Sequence, residues 1–345
     1  MVYEIDPTRD ERWDNFLETE AQASIFHTAG WLEALRRTYG YLPIAFTTSS
    51  PQGPLTNALP FCQISSWVSG RRLVSLPFSD HCTPLIEDPD QLNSLLGYLR
   101  NRMAFEKWRY IEIRPLPALG THRADFEVSK VFYFHKLDLR RNLDEMRHHL
   151  HKDCVQRKIR RAMREGLVCE EGRSDSLLNG FYHLLLLTRR RHGLPAQALV
   201  WFRNLISCLG ERVMIRVASK DGRPVAGILT LRYKKTLVYK YGCSDHRFSN
   251  LGGTQLLFWK AIQEAKKDQL SEFDLGRSDC DNSGLVAFKD RWGAARTELT
   301  YLRYPVTRPR STSETRQTLV RKYLWSHLPS GALAIAGRLL YKHMG

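Results

Sequence analysis

Hydrophobic and polar residues follow two different periods along the chain, and these periods predict a mixture of helices and strands. In segments such as 9–19, 90–105 and 253–267, apolar residues recur every three to four positions, which places them on one helix face. In segments such as 42–47, apolar and polar residues alternate, as they do in strands with one buried face, and 224–233 is a further predicted strand. The pattern predicts an α/β (α+β) protein.

The remaining elements follow from the same two periods. Further helices are predicted at 29–38, capped by Thr28, and at 176–191, 198–209 and 331–342, together with a basic helical stretch over 140–164. Further strands are predicted at 57–64, 71–76, 110–113, 131–137, 213–219, 236–243, 272–275 and 298–304.

The order of these elements repeats. Two strand–turn–strand segments, SSPQGPLTNALP at 49–60 and SKDGRPVAGILT at 219–230, each precede a helix and a further strand. We therefore predict two copies of one α/β unit as domains 1–139 and 140–305. A basic helical tail is predicted for the remaining residues, 306–345.

The formal net charge of +16 changes this picture most, because it predicts an anionic partner. Nucleic acid, a phosphorylated substrate and an anionic membrane surface all remain open at this point. The basic tail has the composition of a helix that contacts an anionic membrane peripherally, although a solvated helix face fits it as well.

The cysteines and the hydropathy of the chain indicate in which cellular compartment the protein is expected. The seven cysteines are scattered without a Cys-x-x-Cys pair, which favours reduced thiols and predicts no metal site. We predict no membrane-spanning helix, because no apolar run approaches the roughly 18 residues required. The N-terminal segment has no apolar core of the signal-peptide kind, so the expectation is a cytoplasmic protein, with contact at the inner membrane face left open.

The stretch from 272 to 294 has the strongest indication of a ligand site. It is predicted as a short strand that breaks at Gly276, a polar loop over 277–283 and a helix carrying Phe288, Lys289 and Trp292. Unpaired N–H groups at a helix start favour anions, and ligands bind beyond the carboxyl ends of strands. An ordinary surface loop is the alternative that these residues leave open.

The second half resembles the FemAB-like branch of the GNAT acyltransferase superfamily. The resemblance rests on a series of segments in the same order, which together cover roughly residues 140–305. They are QRKIRRAMREGL, FYHLLLLTRRRHGLP, GRPVAGILTLRYKKTLVYKYGCSD, FDLGRS and GLVAFKDRWGA. The resemblance implies two tandem GNAT-like domains, each a mixed, mainly antiparallel sheet flanked by helices.

The resemblance also implies the chemistry. Such proteins transfer an acetyl or aminoacyl group from an acyl-coenzyme A or an aminoacyl-tRNA to an amine, or a hydroxyl, of a cell-envelope or exopolysaccharide precursor. In the related enzymes a glycine-rich loop at a helix start holds the coenzyme A pyrophosphate. Here that stretch is SNLGGTQLLFW, in which the loop is incomplete, and it implies Gly252, Gly253 and Thr254 as cofactor-binding residues.

Acyl transfer to an amine needs a deprotonated nitrogen, alignment with the carbonyl and donors for the developing oxyanion. Lys289, which matches the family's Phe-Lys pair, is predicted to contact phosphate or the developing negative charge. Asp279 and Asp281 are candidates for the general base, and Tyr241 could protonate the leaving group, although turn formation and core packing are their alternatives.

A further set of residues is predicted to bind substrate: Arg277, Ser278, Phe288 and Trp292. The stretch that holds them is expected to bind the charge of the acceptor rather than that of the donor.

The functional hypothesis is an acyltransferase that works through a ternary complex without a covalent enzyme intermediate and without a metal. Its partners would be an anionic envelope or saccharide precursor and, for an aminoacyl donor, tRNA. The alternative is a non-catalytic pair of degenerate GNAT domains that binds RNA or an anionic membrane surface through its positive charge.

Overall fold

The computed structural model describes residues 1–116, 125–305 and 330–344. Among these residues the chain forms two compact units, which we call unit 1 and unit 2. Unit 1 comprises residues 1–116, 125–132, 298–305 and 339–344, and unit 2 comprises residues 133–297 and 330–338.

Unit 1 is a mixed sheet with helices, and its elements in chain order are as follows. They are β1 (Tyr3–Ile5), α1 (Arg12–Thr19), α2 (Ala29–Tyr39), β2 (Leu42–Thr47), β3 (Leu59–Ser66), β4 (Gly70–Val74), α3 (Pro89–Glu106), β5 (Trp108–Ile113), the first part of β6 (Glu127–Asp138) and most of β12 (Ala295–Tyr304). Strands β1 to β4 are antiparallel neighbours, β5 is parallel to β4, and β12 is antiparallel to β5.

Unit 2 begins within β6 and contains the second set of elements. They are α4 (Leu143–His149), α5 (Arg157–Arg164), β7 (Val168–Gly172), α6 (Asp175–Arg191), α7 (Leu199–Leu209), β8 (Val213–Lys220), β9 (Arg223–Tyr233), β10 (Thr236–Ser244), α8 (Gly253–Lys267), β11 (Glu272–Asp279), α9 (Ser283–Asp290) and part of α10 (Ser330–Met344). Strands β7 to β10 are antiparallel neighbours, and β11 is parallel to β10.

The predicted fold class and the repeated order of elements are therefore confirmed. Each unit has a series of antiparallel strands, a crossover helix and then a strand parallel to the last of the series. The crossover helix is α3 in unit 1 and α8 in unit 2, as a parallel connection requires. Helix α2 is capped by Thr28 as predicted, because the Thr28 side chain accepts a hydrogen bond from the Trp31 N–H.

Three predictions of organisation need correction. The first segment of unit 1 ends at residue 132 rather than 139. Residues 298–305 also belong to unit 1, because Leu302 and Tyr304 of β12 pair with Ile113 and Ile111 of β5. The tail is not wholly separate, since residues 330–338 group with unit 2 and 339–344 with unit 1; residues 306–329 lie outside the described part.

The basic stretch 140–164 is also not a single helix. Helix α4 ends at His149, and a five-residue π-helical turn at Lys152–Gln156 precedes α5. The His151 side chain accepts a hydrogen bond from the Cys154 N–H, so this turn has an N-terminal cap of its own. The prediction missed β1 and β7, the latter because its exposed residues Glu170 and Glu171 hide any alternation.

A buried ionic network links β5 and β12 in unit 1. The Glu112 carboxylate accepts hydrogen bonds from Arg114 Nη2 at 2.8 Å and from Arg303 Nη2 at 2.6 Å. Arg114 also donates to the carbonyl oxygen of Leu76 at 2.6 Å. Burial alone would raise the pKa of Glu112, but the charges of Arg114 and Arg303 outweigh it and lower this pKa to about 2.

We expect Glu112→Gln to lower the free energy of unfolding at pH 7 by about 3 kcal/mol, since two arginines are left without their shared carboxylate. The low pKa of Glu112 in the folded protein means that its contribution is present above the ordinary value of 4.5 and is lost as the pH falls towards about 2. Urea titrations between pH 7 and pH 2 measure both effects. An equally steep acid dependence in Glu112→Gln would contradict this assignment.

Candidate active site

Strands β10 and β11 of unit 2 part soon after they begin. Their paired residues are Thr236–Glu272, Leu237–Phe273 and Val238–Asp274, and no later residues of these two fully described strands pair with each other. Strand β10 nevertheless extends to Ser244 and β11 to Asp279. A gap therefore opens at the carboxyl ends of two parallel strands, which is where α/β proteins bind ligands.

Irregularities in both strands accompany this divergence. In β10 the register with β9 shifts between Tyr239 and Tyr241, so that Lys240 forms a bulge. In β11 Gly276 has a φ of +71°, and its N–H donates to Asp274 Oδ1 at 2.6 Å. The predicted strand break at Gly276 is wrong, because the glycine kinks the strand without ending it, and β11 continues to Asp279.

The first turn of α8 lies beside the end of β10. Gly252 precedes the helix with a φ of +80° and gives no side-chain cap, so the N–H groups of the first turn have no capping partner from that residue. A Cβ at Gly252 would overlap the carbonyl oxygen of Lys158, and one at Gly253 would lie 3.0 Å from the Ala226 Cβ. The glycine pair therefore lets α8 begin in close contact with α5 and β9.

A pocket of about 290 Å³ lies beside this helix start. Its walls come from the first turn of α8, the end of β10 and one face of α9, through Gly253, Thr254, Gln255, Tyr239, Gly242, Ser244, Leu285 and Phe288. Lys158 and Arg191 bring positive charge, His192 adds a further nitrogen donor, and the described lining contains no acidic side chain. Helix N–H groups and cations together favour an anionic ligand.

The structure separates the predicted substrate-binding residues. Phe288 lines the pocket, whereas Trp292 is buried in the core of unit 2 and stacks on Phe258 at 5.2 Å. Arg277 is half-buried and Ser278 is buried beyond the kink of β11. Among the described residues, the Ser278 hydroxyl has no hydrogen-bond partner. None of Arg277, Ser278 and Trp292 belongs to the pocket wall.

The predicted acid–base residues, Asp279, Asp281 and Tyr241, do not line the pocket either. Asp279 and Asp281 are exposed on either side of Cys280, and the Asp279 carbonyl accepts from the Asn282 N–H in the turn that starts α9. Tyr241 is 7% exposed, and its hydroxyl accepts a hydrogen bond from Trp201 Nε1 at 2.9 Å. The bulge at Lys240 explains this burial, because it turns Tyr241 to the α7 side of the sheet and leaves Tyr239 in the pocket.

Lys289 lies behind the kink of β11 rather than in the pocket wall. Its side chain is 2% exposed, and Nζ donates to the carbonyl oxygens of Gly276 and Arg277, both at 2.9 Å. The neighbouring His135 is buried, with Nε2 3.1 Å from Asp290 Oδ1. Burial and the charge of Lys289 lower the pKa of His135, which keeps the imidazole neutral near pH 7. Lys289 therefore fixes the conformation of the segment that carries Arg277.

Sequence reasoning missed Tyr239, Lys158 and Arg191 as pocket residues. The sequence pattern of β10 does not reveal the bulge at Lys240, and it is this bulge that places Tyr239 rather than Tyr241 in the pocket wall. Lys158 belongs to a helix with many basic residues, and nothing in the sequence singles it out from Arg157, Arg160 or Arg161.

The sequence of this region matches a known family. Residues 151–289 match the family model described as an acetyltransferase (GNAT) domain, and these residues include all of the described pocket lining. Residues 151–289 carry a GNAT acyltransferase domain. The predicted resemblance to the GNAT superfamily and the prediction of an acyltransferase are confirmed.

Solved structures extend the comparison to the whole chain. FemX has a TM-score of 0.66 at 15% identity, with 93% of this chain and 100% of FemX covered. The C-terminal domain of a protein from Agrobacterium fabrum assigned as a lysylphosphatidylglycerol synthetase gives 0.58 at 14% identity, covering 92% and 96%. A tandem GNAT protein from the clavulanic acid biosynthesis pathway gives 0.54 at 11% identity, covering 88% and 97%. At these identities the similarity concerns the fold, and a sequence search of curated proteins found no match.

Within the described ranges, no group of three or more His, Cys, Asp or Glu side chains is arranged to hold a metal ion. Across the same residues, no helix has the length and apolar character needed to cross a membrane.

We expect Lys289→Met to lower the free energy of unfolding by about 3 kcal/mol, because two buried carbonyl oxygens lose a charged donor. Lys267→Met, at an exposed position of α8, is the matched control and should change stability by less than about 0.5 kcal/mol. Urea unfolding measures both variants. A Lys289→Met protein as stable as the control would show that the two hydrogen bonds contribute little.

Proposed function

We propose that the protein transfers an acetyl or aminoacyl group to an amine, or a hydroxyl, of a cell-envelope or exopolysaccharide precursor. One observation carries the proposal: the pocket of the GNAT domain combines the first turn of α8 with Lys158 and Arg191 and has no acidic side chain in its described lining. Such a site suits the phosphates of an acyl donor, so we assign Gly252, Gly253 and Thr254 to its binding.

Two donors meet this requirement, an acyl-coenzyme A and an aminoacyl-tRNA. Both carry phosphate groups and a reactive acyl group, which is a thioester in the first and an ester in the second. Exposed cations on and near α5, among them Lys152, Arg160 and Arg164, would extend the positive charge beyond the pocket for a longer polyanion. An aminoacyl group is in keeping with the name of the lysylphosphatidylglycerol synthetase relative, which denotes a lipid carrying a lysyl group.

The cysteine of the pocket wall, Cys243, is poorly suited to act as a nucleophile, which is in keeping with direct transfer without a covalent enzyme intermediate. The Cys243 Sγ lies 3.4 Å from the Gly227 carbonyl oxygen and 3.5 Å from that of Phe181. Burial raises the pKa of this thiol, so it stays protonated and is a poor nucleophile. The acceptor nitrogen would then attack the acyl carbonyl within a ternary complex.

The acceptor would bind along the end of β11 and the loop after it. In this proposal Arg277 contacts the anionic part of the acceptor, and Ser278 offers its hydroxyl nearby. Asp279 or Asp281 takes the proton from the attacking amine. Lys289 positions this segment through its hydrogen bonds to the Gly276 and Arg277 carbonyl oxygens rather than by touching the substrate.

Contact with the inner face of the cytoplasmic membrane is part of the proposal. In unit 2, α10 exposes Ile335 at 65% and carries Arg338, a combination that suits the interface of an anionic membrane. Residues 306–329, which hold most of the basic tail, lie outside the described part.

The donor site is tested by measuring dissociation constants of acetyl-coenzyme A and of an aminoacyl-tRNA. Lys158→Ala should weaken binding of the true donor about 10-fold, because one charged contact to phosphate is lost while the Lys158 backbone against Gly252 is kept. Lys267→Ala, at the far end of α8, is the control and should bind as the unaltered protein does.

Other outcomes of this experiment decide against the proposal. Failure to bind either donor would overturn it. RNA binding that is the same for charged and uncharged tRNA and is unchanged by Lys158→Ala would support the non-catalytic alternative.

A further inference from the structure

A second cavity of unit 2 lies apart from the pocket beside α8, and we call it the β6 pocket. It is lined by the end of β6 and the residues that follow, by α4, by the start of β11 and by the segment 292–295. Its volume is about 320 Å³, near the lower end of the range of about 300–1,000 Å³ for small-molecule sites. The two pockets share no described lining residue. The β6 pocket could therefore hold a small ligand independently of the acyl donor.

Buried apolar side chains form part of the wall of the β6 pocket. They are Leu137 of β6, Met146 of α4 and Trp292, which follows α9. The Trp292 ring is fixed by its stacking on Phe258, and its buried Nε1–H has no hydrogen-bond partner among the described residues. Because buried N–H groups are normally paired, an acceptor oxygen supplied at this wall would be stabilising. The wall suits a ligand that has an apolar body and carries oxygen atoms.

Charged side chains also line the β6 pocket, and most of them pair with one another. Lys136 Nζ donates to Glu272 Oε1 at 2.8 Å, and Arg140 Nη2 donates to Asp138 Oδ2 at 2.8 Å. The hydrogen bond from Arg140 lowers the pKa of Asp138 to about 2, so this pair is ionised at pH 7. The side chain of Arg141 is exposed and makes no hydrogen bond or ion pair with any described residue. One guanidinium therefore remains for a ligand.

A single available cation favours a ligand with a single negative charge. A phosphate monoester carries close to two charges at pH 7 and would place the second near Asp138 and Glu272. A carboxylate carries one charge, and its two oxygen atoms match the planar guanidinium of Arg141. His149 also lines the pocket, but its Nδ1 donates to the Glu145 carbonyl oxygen at 2.7 Å, and the neutral form of the ring adds no charge. The lining therefore favours a carboxylate.

We infer that the β6 pocket binds a small monocarboxylate with an apolar body, at a site separate from that of acyl transfer. Arg141 binds the carboxylate, while the buried apolar wall contacts the rest of the ligand. Glu272, in this pocket, is the first residue of β11, whereas Ser244, in the pocket beside α8, is the last residue of β10. Because these strands are parallel, the two pockets lie towards opposite ends of them. The inference holds whichever acyl donor the protein uses.

Phenylacetate is the probe for this site, because it joins one carboxylate to an apolar ring. Titrated at pH 7 into the full chain labelled with ¹⁵N, it should shift the indole N–H resonance of Trp292, which is identified by its absence from Trp292→Phe. We expect a Kd of about 1 mM, in keeping with a ligand of about ten non-hydrogen atoms. Phenylacetamide, which lacks the charge, and phenyl phosphate, which carries a second one, should each bind at least about 10-fold more weakly.

Two variants locate the probe in the β6 pocket. Arg141→Ala should weaken phenylacetate binding about 10-fold, because the available guanidinium is lost. Arg223→Ala is the matched control, at an exposed arginine of unit 2 that lines neither pocket, and should leave the Kd unchanged. Ala295→Phe places a ring in the pocket from an exposed position without altering any charge, and should abolish the shift of the Trp292 resonance.

Several results would overturn the inference. Equal affinities for phenylacetate and phenylacetamide would show that no charged contact is made, as would unchanged binding by Arg141→Ala. Tighter binding of phenyl phosphate than of phenylacetate would contradict the assignment of a monocarboxylate. Displacement of phenylacetate by coenzyme A would place the probe in the pocket beside α8 instead. Absence of any shift of the Trp292 resonance at about ten times the expected Kd would exclude the site.

Discussion

Strands β10 and β11 share only three residue pairs, and the functional geometry of unit 2 depends on their early separation. Full pairing would leave no gap at the carboxyl ends of these two strands, where α/β proteins bind ligands. The bulge at Lys240 and the kink at Gly276 accompany the separation in the two strands. Lys289 holds the kinked segment by its backbone oxygens, so a buried cation maintains the shape of the strand on one side of the gap.

Unit 1 repeats the same topology, but in it the ends of the two parallel strands, β4 and β5, are connected by hydrogen bonds of Arg114. Arg114 follows β5 and donates to the carbonyl oxygens of Leu76 at 2.6 Å and Ser79 at 3.3 Å, while its own carbonyl accepts from the Cys82 N–H at 2.7 Å. The segment after β4 is therefore bound to the end of β5. Two copies of one fold thus differ in the feature that matters for ligand binding, which agrees with a donor site in unit 2.

Hydrophobic periodicity was sufficient to predict most elements because burial on one face imposes a regular pattern. Helix α8 and strand β2 were predicted with the observed bounds, 253–267 and 42–47. The site was less predictable because it depends on irregular backbone. No residue type in the sequence indicates the bulge at Lys240, which turns Tyr239 and Tyr241 to opposite faces of the sheet. A glycine that kinks a strand, as Gly276 does in β11, also cannot be distinguished in the sequence from a glycine that ends one.

Amide hydrogen exchange of the unaltered protein, with and without saturating acetyl-coenzyme A or aminoacyl-tRNA, tests the central claim most directly. The account predicts slower exchange on donor binding in segments 239–244 and 252–256, at the end of β10 and the start of α8. The segment 75–82 of unit 1 should exchange at the same rate in both states. Protection confined to unit 1, or no change at 239–244 and 252–256 with either donor, would contradict the assignment of the gap between β10 and β11 as the donor site.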